Sequence, residues 1–166
     1  KEFKAIDMTD LNIRPGSALD LSFLLDQGQI DESKRLTISD GRFVLAADPA
    51  KRVRFTGCSI NFRTDLINLD KKGIEEYVAL AKRQGFNLFR AHYLDAFLMW
   101  MAKADGEFNP DYLDRFQYLI YCIKKENMYL SLDAMSASSG YRKLSGWWYN
   151  GPDLKKQIFW DQSVRE

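Results

Sequence analysis

The chain has 166 residues, a formal net charge of +1, a single histidine, and an aromatic content of 14%. Its length corresponds to one globular domain, and a charge so near zero argues against a protein that binds nucleic acid or an acidic surface through excess Lys and Arg. The sequence has no run of ~18 apolar residues that could cross a bilayer, and its first residues lack the basic-then-apolar plan of a signal peptide.

The first 52 residues (1-52) are predicted to form a β-rich lead-in. Asp40-Gly41 separates two apolar and β-branched runs, Leu36 to Ile38 and Arg42 to Leu45. An Asp-Gly pair between such runs predicts a hairpin, because both turn positions require positive φ. Leu21 to Leu25 also has the composition of a strand, and Asp48-Pro49 predicts a further turn.

Residues 53-166 are predicted to alternate strands with helices. The first helix begins after Asp70, a suitable N-cap, and ends before Gly85. Its apolar positions follow helical spacing at Ile74, Tyr77, Val78 and Ala81. The apolar run FNLFRAH follows, and its pattern predicts a strand buried on both faces.

A second helix is predicted to begin at Asn109-Pro110, after a loop from Tyr93 to Phe108. The segment NMYLSLDA then predicts another strand. The order strand, helix, strand, helix, strand is typical of consecutive βα units and indicates a parallel sheet. The remaining residues are rich in glycine and aromatic residues and are expected to be mostly loop.

Polar residues at the carboxyl ends of these strands are the first candidates for a site, because ligands bind there in parallel α/β folds. Arg90 and His92 alternate to the same side of one strand, and Asp133 ends the next. Arg90 either binds a ligand or closes a structural ion pair, since a charge at the end of an apolar run needs a partner. For His92, a structural hydrogen bond and contact with a substrate are both open.

Motifs for several other chemistries are missing from the sequence. There is no G-x-S-x-G, no glycine-rich phosphate loop, no C-x-x-C and no H-E-x-x-H, so no cofactor and no metal is expected. Cys58 and Cys122 lie in apolar runs, which favours buried free thiols over a disulfide.

The Gly-flanked aromatic run Trp147, Trp148 and Tyr149 is the second candidate site. Adjacent Trp residues in an irregular segment suit stacking on the apolar face of a sugar ring, although one of them is expected to pack over the end of the sheet. Phe97, Trp100 and Met101, in the preceding loop, either line the same cleft or seal it.

The order of several segments resembles the cellulase-like, clan A glycoside hydrolases, in a family 5-like form. The resemblance rests on VRFTGCSINF, KRQGFNLFRAHYLD and FNPDYLDRFQYLIYCIKKENMYLSLDA, preceded by LDLSFLLD and DGRFV, and it covers most of residues 18 to 135. It implies the N-terminal portion of a (β/α)₈ TIM barrel preceded by a short β-hairpin lead-in. The chain is shorter than the ~250 residues of a full barrel, so it is expected to be the front part of a longer protein.

The resemblance also implies a function and a location. The protein would be a secreted, extracellular or periplasmic enzyme that hydrolyses a β-linked polysaccharide or oligosaccharide with a retaining mechanism. Arg90 stands where the family has the arginine that supports the nucleophile, and His92 partly replaces a substrate-contacting histidine.

The chain departs from the family in two places. Asp133 is followed by Ala134 and Met135, so the usual D-x-H is absent. The two catalytic glutamates are expected beyond residue 166, so the chain alone should be inactive. The alternatives are a non-catalytic carbohydrate-binding module and an open α/β interaction module.

Overall fold

The computed structural model describes residues 12–28, 30–61, 66–99, 101–103 and 107–133. The strands in these residues are β1 (Leu36–Ser39), β2 (Arg42–Leu45), β3 (Asp48–Arg52), β4 (Gly57–Asn61), β5 (Leu88–His92) and β6 (Tyr129–Leu132). The helices are α1 (Lys71–Arg83), α2 (Leu94–Leu98) and α3 (Pro110–Lys125), with short 3-10 helices at Ser22–Leu24 and Glu32–Lys34. This content confirms the predicted α/β class. The barrel itself and the boundary between residues 1-52 and 53-166 stay predictions.

The predicted hairpin is confirmed by strands β1 and β2, which pair antiparallel with Ser39 opposite Arg42. Asp40 and Gly41 form the turn with φ values of 49° and 70°. Positive φ at both positions matches the right-handed twist of the strands, and this is the reason that Asp-Gly is favoured there.

Two predictions for the lead-in are wrong. Leu21 to Leu25 contains a 3-10 helix, because the carboxylate of Asp20 accepts hydrogen bonds from the backbone N–H groups of Gly16 (2.8 Å) and Ser22 (2.9 Å). Such local bonds compete with strand pairing. Asp48-Pro49 lies in β3 rather than in a turn, and β3 is an edge strand, where proline costs no ladder hydrogen bond.

The two long helices begin at the predicted caps. The Asp70 side chain accepts a hydrogen bond from the N–H of Gly73 at 2.7 Å, and the Asn109 side chain accepts one from Asp111 at 3.0 Å. Each cap satisfies a backbone donor that a helix start leaves unpaired. Gly85 follows α1 with a φ of 86°, as expected for a glycine just beyond a helix end.

Strands β4, β5 and β6 form a parallel sheet in sequence order, with Ser59 opposite Arg90 and Arg90 opposite Ser131. Helices α1 and α3 pack against each other and against one face of this sheet. One hydrophobic core unites them, with fully buried side chains that include Ile60, Ile74, Val78, Phe89 and Leu119. The three strands and two helices therefore form consecutive βα units, as predicted.

The prediction that β5 is buried on both faces is wrong. Phe89 and Ala91 are fully buried on the helix-covered face, whereas Arg90, which points to the other face, is exposed. Strand alternation sends neighbouring side chains to opposite sides. The polar side chains of β5 therefore share one face of the sheet.

The lead-in packs at the amino end of β6. The Tyr129 hydroxyl donates to the carbonyl oxygen of Lys34 at 3.1 Å, and the ring of Phe55 makes edge contacts with both Phe43 and Tyr129, each at 5.4 Å between centroids. The Asn127 side-chain amide donates to the carbonyl oxygen of Asp26 at 2.7 Å. The lead-in therefore contacts the sheet at the end opposite to the carboxyl ends of the strands.

Across the described residues, no helix combines the length and the apolar character needed to span a membrane.

Candidate functional site

Arg90, His92 and Asp133 form one group, named here the Arg–Asp–His cluster. The Arg90 guanidinium donates through Nε and Nη2 to the two carboxylate oxygens of Asp133, at 3.1 and 2.6 Å. His92 Nδ1 lies 2.5 Å from Asp133 Oδ2. One carboxylate thus binds both of the polar side chains that β5 delivers.

The sheet explains why these three residues meet. Strands β5 and β6 are parallel neighbours, and the backbone N–H of Asp133 continues their ladder by donating to Ala91 at 3.3 Å. Arg90 and His92 are two residues apart on β5 and so lie on the same face, beside the end of β6. The sequence placed these three residues at strand ends, and the structure brings their side chains together.

The hydrogen bonds define the protonation of the cluster. Bonds from His92 and then from Arg90 hold the pKa of the Asp133 carboxyl below its ordinary value, so this group is ionised at neutral pH. An ionised carboxylate only accepts hydrogen bonds, so Nδ1 of His92 must carry the proton that lies between them. In the neutral ring, Nε2 is therefore an acceptor, which suits a hydroxyl donor.

Arg90 keeps binding capacity beyond the ion pair. Two of the five N–H donors of a guanidinium reach Asp133, and the Arg90 side chain is 50% exposed, against 17% for that of Asp133. The ion pair that the sequence left open for Arg90 is therefore present. The exposed guanidinium can also donate to hydroxyl or carboxylate oxygens that approach this face.

The lowered pKa of Asp133 predicts that the free energy of unfolding decreases at acidic pH. The folded-state pKa of Asp133 lies below the unfolded value of about 3.9. The ionised carboxylate therefore stabilises the folded state at pH values above about 3.9, and this stabilisation is lost as the pH falls through the folded pKa. The free energy of unfolding, measured with urea from pH 7 down to pH 3, should fall more steeply in the wild type than in Asp133→Asn. The two proteins should differ most at neutral pH. Parallel curves would contradict the lowered pKa of Asp133.

Tyr93, which directly follows β5, was not singled out from the sequence. Its φ and ψ of 58° and 33° lie in the left-handed region, which is rare for an aromatic residue. Its ring centroid is 3.8 Å from that of His92, and the residue is 47% exposed. An aromatic residue next to the histidine of a strand end was the signal available, but the sequence does not indicate its backbone conformation.

The predicted loop from Tyr93 to Phe108 contains helix α2, so that prediction is wrong for its first part. Phe97 and Leu98 of α2 are buried, and Phe97 stacks on Tyr112 of α3 with 4.9 Å between centroids. This burial against α3 stabilises a helix of one turn. Phe97 therefore belongs to the core, whereas Met101 is exposed.

The second candidate site, formed by Trp147, Trp148 and Tyr149, lies outside the described residues, and so does Trp100. Its role in stacking on a sugar stays a prediction.

Other catalytic chemistries find little support in the described part of the chain. Those residues contain no group of three or more His, Cys, Asp or Glu side chains placed to hold a metal ion. Cys58 and Cys122 are free thiols, with Cys122 buried and Cys58 partly buried. Burial raises the pKa of Cys58 to about 11, so this thiol is protonated at neutral pH and is a poor nucleophile.

Comparison with known proteins found no match among family models, curated proteins or solved structures. The geometry of the Arg–Asp–His cluster is therefore the basis for a functional proposal.

Proposed function

We propose that this chain contributes the first three strand–helix units of a retaining glycoside hydrolase that acts on a β-linked polysaccharide. In this proposal the Arg–Asp–His cluster lies in the substrate cleft. The single observation that carries it is the convergence of Arg90 and His92 on Asp133 at the carboxyl ends of two neighbouring parallel strands. Substrates of parallel α/β enzymes bind at that end.

The strand order supports the barrel part of the proposal. Each successive parallel strand is added to the same side of the last, in the order β4-β5-β6, and helices α1 and α3 both cover the same face. Repeating this step is how a (β/α)₈ barrel is built. The opposite face carries a row of polar side chains, with Ser59 and Ser131 on either side of Arg90 in register. In a barrel this face would be the interior.

The chemistry of the cluster suits the recognition of a sugar. Arg90 supplies charged donors, and Nε2 of His92 supplies an acceptor when the ring is neutral, so together they can bind neighbouring hydroxyl groups. Retaining hydrolysis also needs two carboxyl groups ~5 to 5.5 Å apart. The cluster contains a single carboxylate, that of Asp133, and this carboxylate is already bound by Arg90 and His92. The cluster is therefore assigned to substrate binding and to support of a nucleophile from another strand.

The proposal is tested by binding and by turnover. The chain contains a single histidine, so the imidazole signals in an NMR spectrum belong to His92 without further assignment. Titration with cellohexaose or laminarihexaose should shift these signals, whereas the α-linked control maltohexaose should not. The purified chain should release no reducing sugar. The protein expressed from its complete reading frame should release sugar with retention of anomeric configuration.

The possible outcomes separate the candidate functions. If the complete protein binds the oligosaccharide but does not hydrolyse it, the protein is a carbohydrate-binding module rather than an enzyme. If no β-linked oligosaccharide shifts the imidazole signals, the assignment of the cluster to a sugar site is overturned. The extracellular or periplasmic location expected from the resemblance belongs to the same proposal, because polysaccharides are met there.

A further inference from the structure

We propose that Tyr93 is a positioning residue of this site, whose ring fixes the orientation in which His92 meets Asp133 and presents Nε2 to a sugar hydroxyl. The part that concerns the sugar rests on the proposed function. The part that concerns the imidazole rests on the geometry of the described residues alone.

The backbone of Tyr93 is the first observation. A left-handed conformation is adopted most readily by Gly, Asn and Asp, and a bulky aromatic side chain is strained in it. Such strain persists where the surrounding structure determines the conformation, and it concentrates at functional sites. Here the carbonyl oxygen of Tyr93 accepts a hydrogen bond from Phe97 at 3.1 Å, and Phe97 is buried in the core. Helix α2 therefore holds the turn in place.

The position of the ring is the second observation. The left-handed turn brings the Tyr93 ring against the His92 ring, with 3.8 Å between centroids and 45° between planes. The imidazole is also bound by Asp133 through Nδ1. Two contacts on different parts of the ring restrict its rotation more than either contact alone. A glycine at this position would allow the same turn without strain, so the specific contribution of the tyrosine is its side chain.

The positioning role predicts a defined state of the imidazole. With Nδ1 held on the ionised Asp133, the neutral ring should exist as the Nδ1–H tautomer, and Nε2 should be the acceptor. Removal of the Tyr93 ring leaves the imidazole held by the Asp133 bond alone, so the ring should rotate more freely and the Nε2–H tautomer should become detectable beside the Nδ1–H tautomer. A sugar hydroxyl that depends on Nε2 would then be bound less tightly.

The test uses three variants and one control. Tyr93→Phe keeps the ring, whereas Tyr93→Asn and Tyr93→Gly remove it but tolerate the left-handed turn, so they are expected to fold. The matched control is Tyr121→Asn, which removes an exposed tyrosine from the outer face of α3. The tautomer of His92 is read from two-bond ¹H–¹⁵N correlation spectra in alkaline solution, and affinity is measured with cellohexaose.

We expect Tyr93→Phe and Tyr121→Asn to retain the single tautomer and the affinity of the wild type. Tyr93→Asn and Tyr93→Gly should show mixed tautomers and about tenfold weaker binding, with a melting temperature that is unchanged or raised. A wild-type tautomer in Tyr93→Asn would overturn the positioning role. If the wild type itself binds no oligosaccharide, the proposed function fails, and the imidazole spectra still decide the role of Tyr93.

Discussion

Replacing Asp133 by Asn should weaken binding of a β-linked oligosaccharide by about tenfold to a hundredfold, measured by calorimetric titration of the chain with cellohexaose. The expected loss is that of one or two sugar contacts, from Arg90 and from Nε2 of His92, because their positions depend on this carboxylate. Asp133 holds both Arg90 and His92 through hydrogen bonds. An amide oxygen can accept from His92 Nδ1 and Arg90 Nη2, which share one carboxylate oxygen, but the NH2 group then faces Arg90 Nε, so that bond and the negative charge are lost.

The matched control for this prediction is Asp114→Asn. Asp114 is an exposed carboxylate on α3 that pairs with Lys71 of α1 at 3.5 Å, on the side of the molecule that the helices cover. Exposed pairs of this kind contribute little, so binding should be unchanged. Equal affinities for the wild type and Asp133→Asn would show that the cluster is a structural ion pair and that the sugar binds elsewhere.

The largest effect on stability is expected from Phe89→Ala, which should lower the free energy of unfolding by about 3 to 5 kcal/mol. Phe89 of β5 is 0% exposed, and its ring centroid lies 6.1 Å from that of Tyr77 on α1. Removing the ring leaves a cavity between the sheet and the helix. Urea unfolding followed by circular dichroism measures the change.

Phe23→Ala is the matched control for Phe89→Ala, because it removes the same side chain from a position that is 74% exposed. We expect a change within about 0.5 kcal/mol there. Similar losses in the two variants would mean that the sheet face covered by α1 and α3 is not the core of the chain.

Much of the fold was predictable because several of its signals are local. The Asp40-Gly41 turn, the Asp70 and Asn109 caps, and Gly85 after α1 each depend on hydrogen bonds or φ angles within a few residues. Helical periodicity likewise identified the face of α1 that is buried, through Ile74 and the positions that follow it. Such features are determined by neighbouring residues, so they can be read from sequence order.

The wrong predictions concern segments whose conformation depends on residues that are distant in the sequence. Leu21 to Leu25 has strand composition, yet in addition to the local bonds of Asp20, a hydrogen bond from the Leu21 N–H to the carbonyl oxygen of the distant Arg83, at 2.7 Å, holds it outside a sheet. Helix α2 is too short to form on its own and depends on the burial of Phe97 against α3. Neither contact leaves a periodic signal in its own segment.

The sequence by itself determined the order of the three parallel strands and the two long helices between them, and it placed Arg90, His92 and Asp133 at strand ends, because alternation and capping act over short distances. Tertiary structure alone decided that Arg90 and His92 share one carboxylate, since the residues that meet are 41 to 43 positions apart and are joined by the packing of β5 beside β6. It also decided the left-handed turn at Tyr93, which is imposed by burial of the helix that follows. Local preference alone would not hold a tyrosine in that conformation.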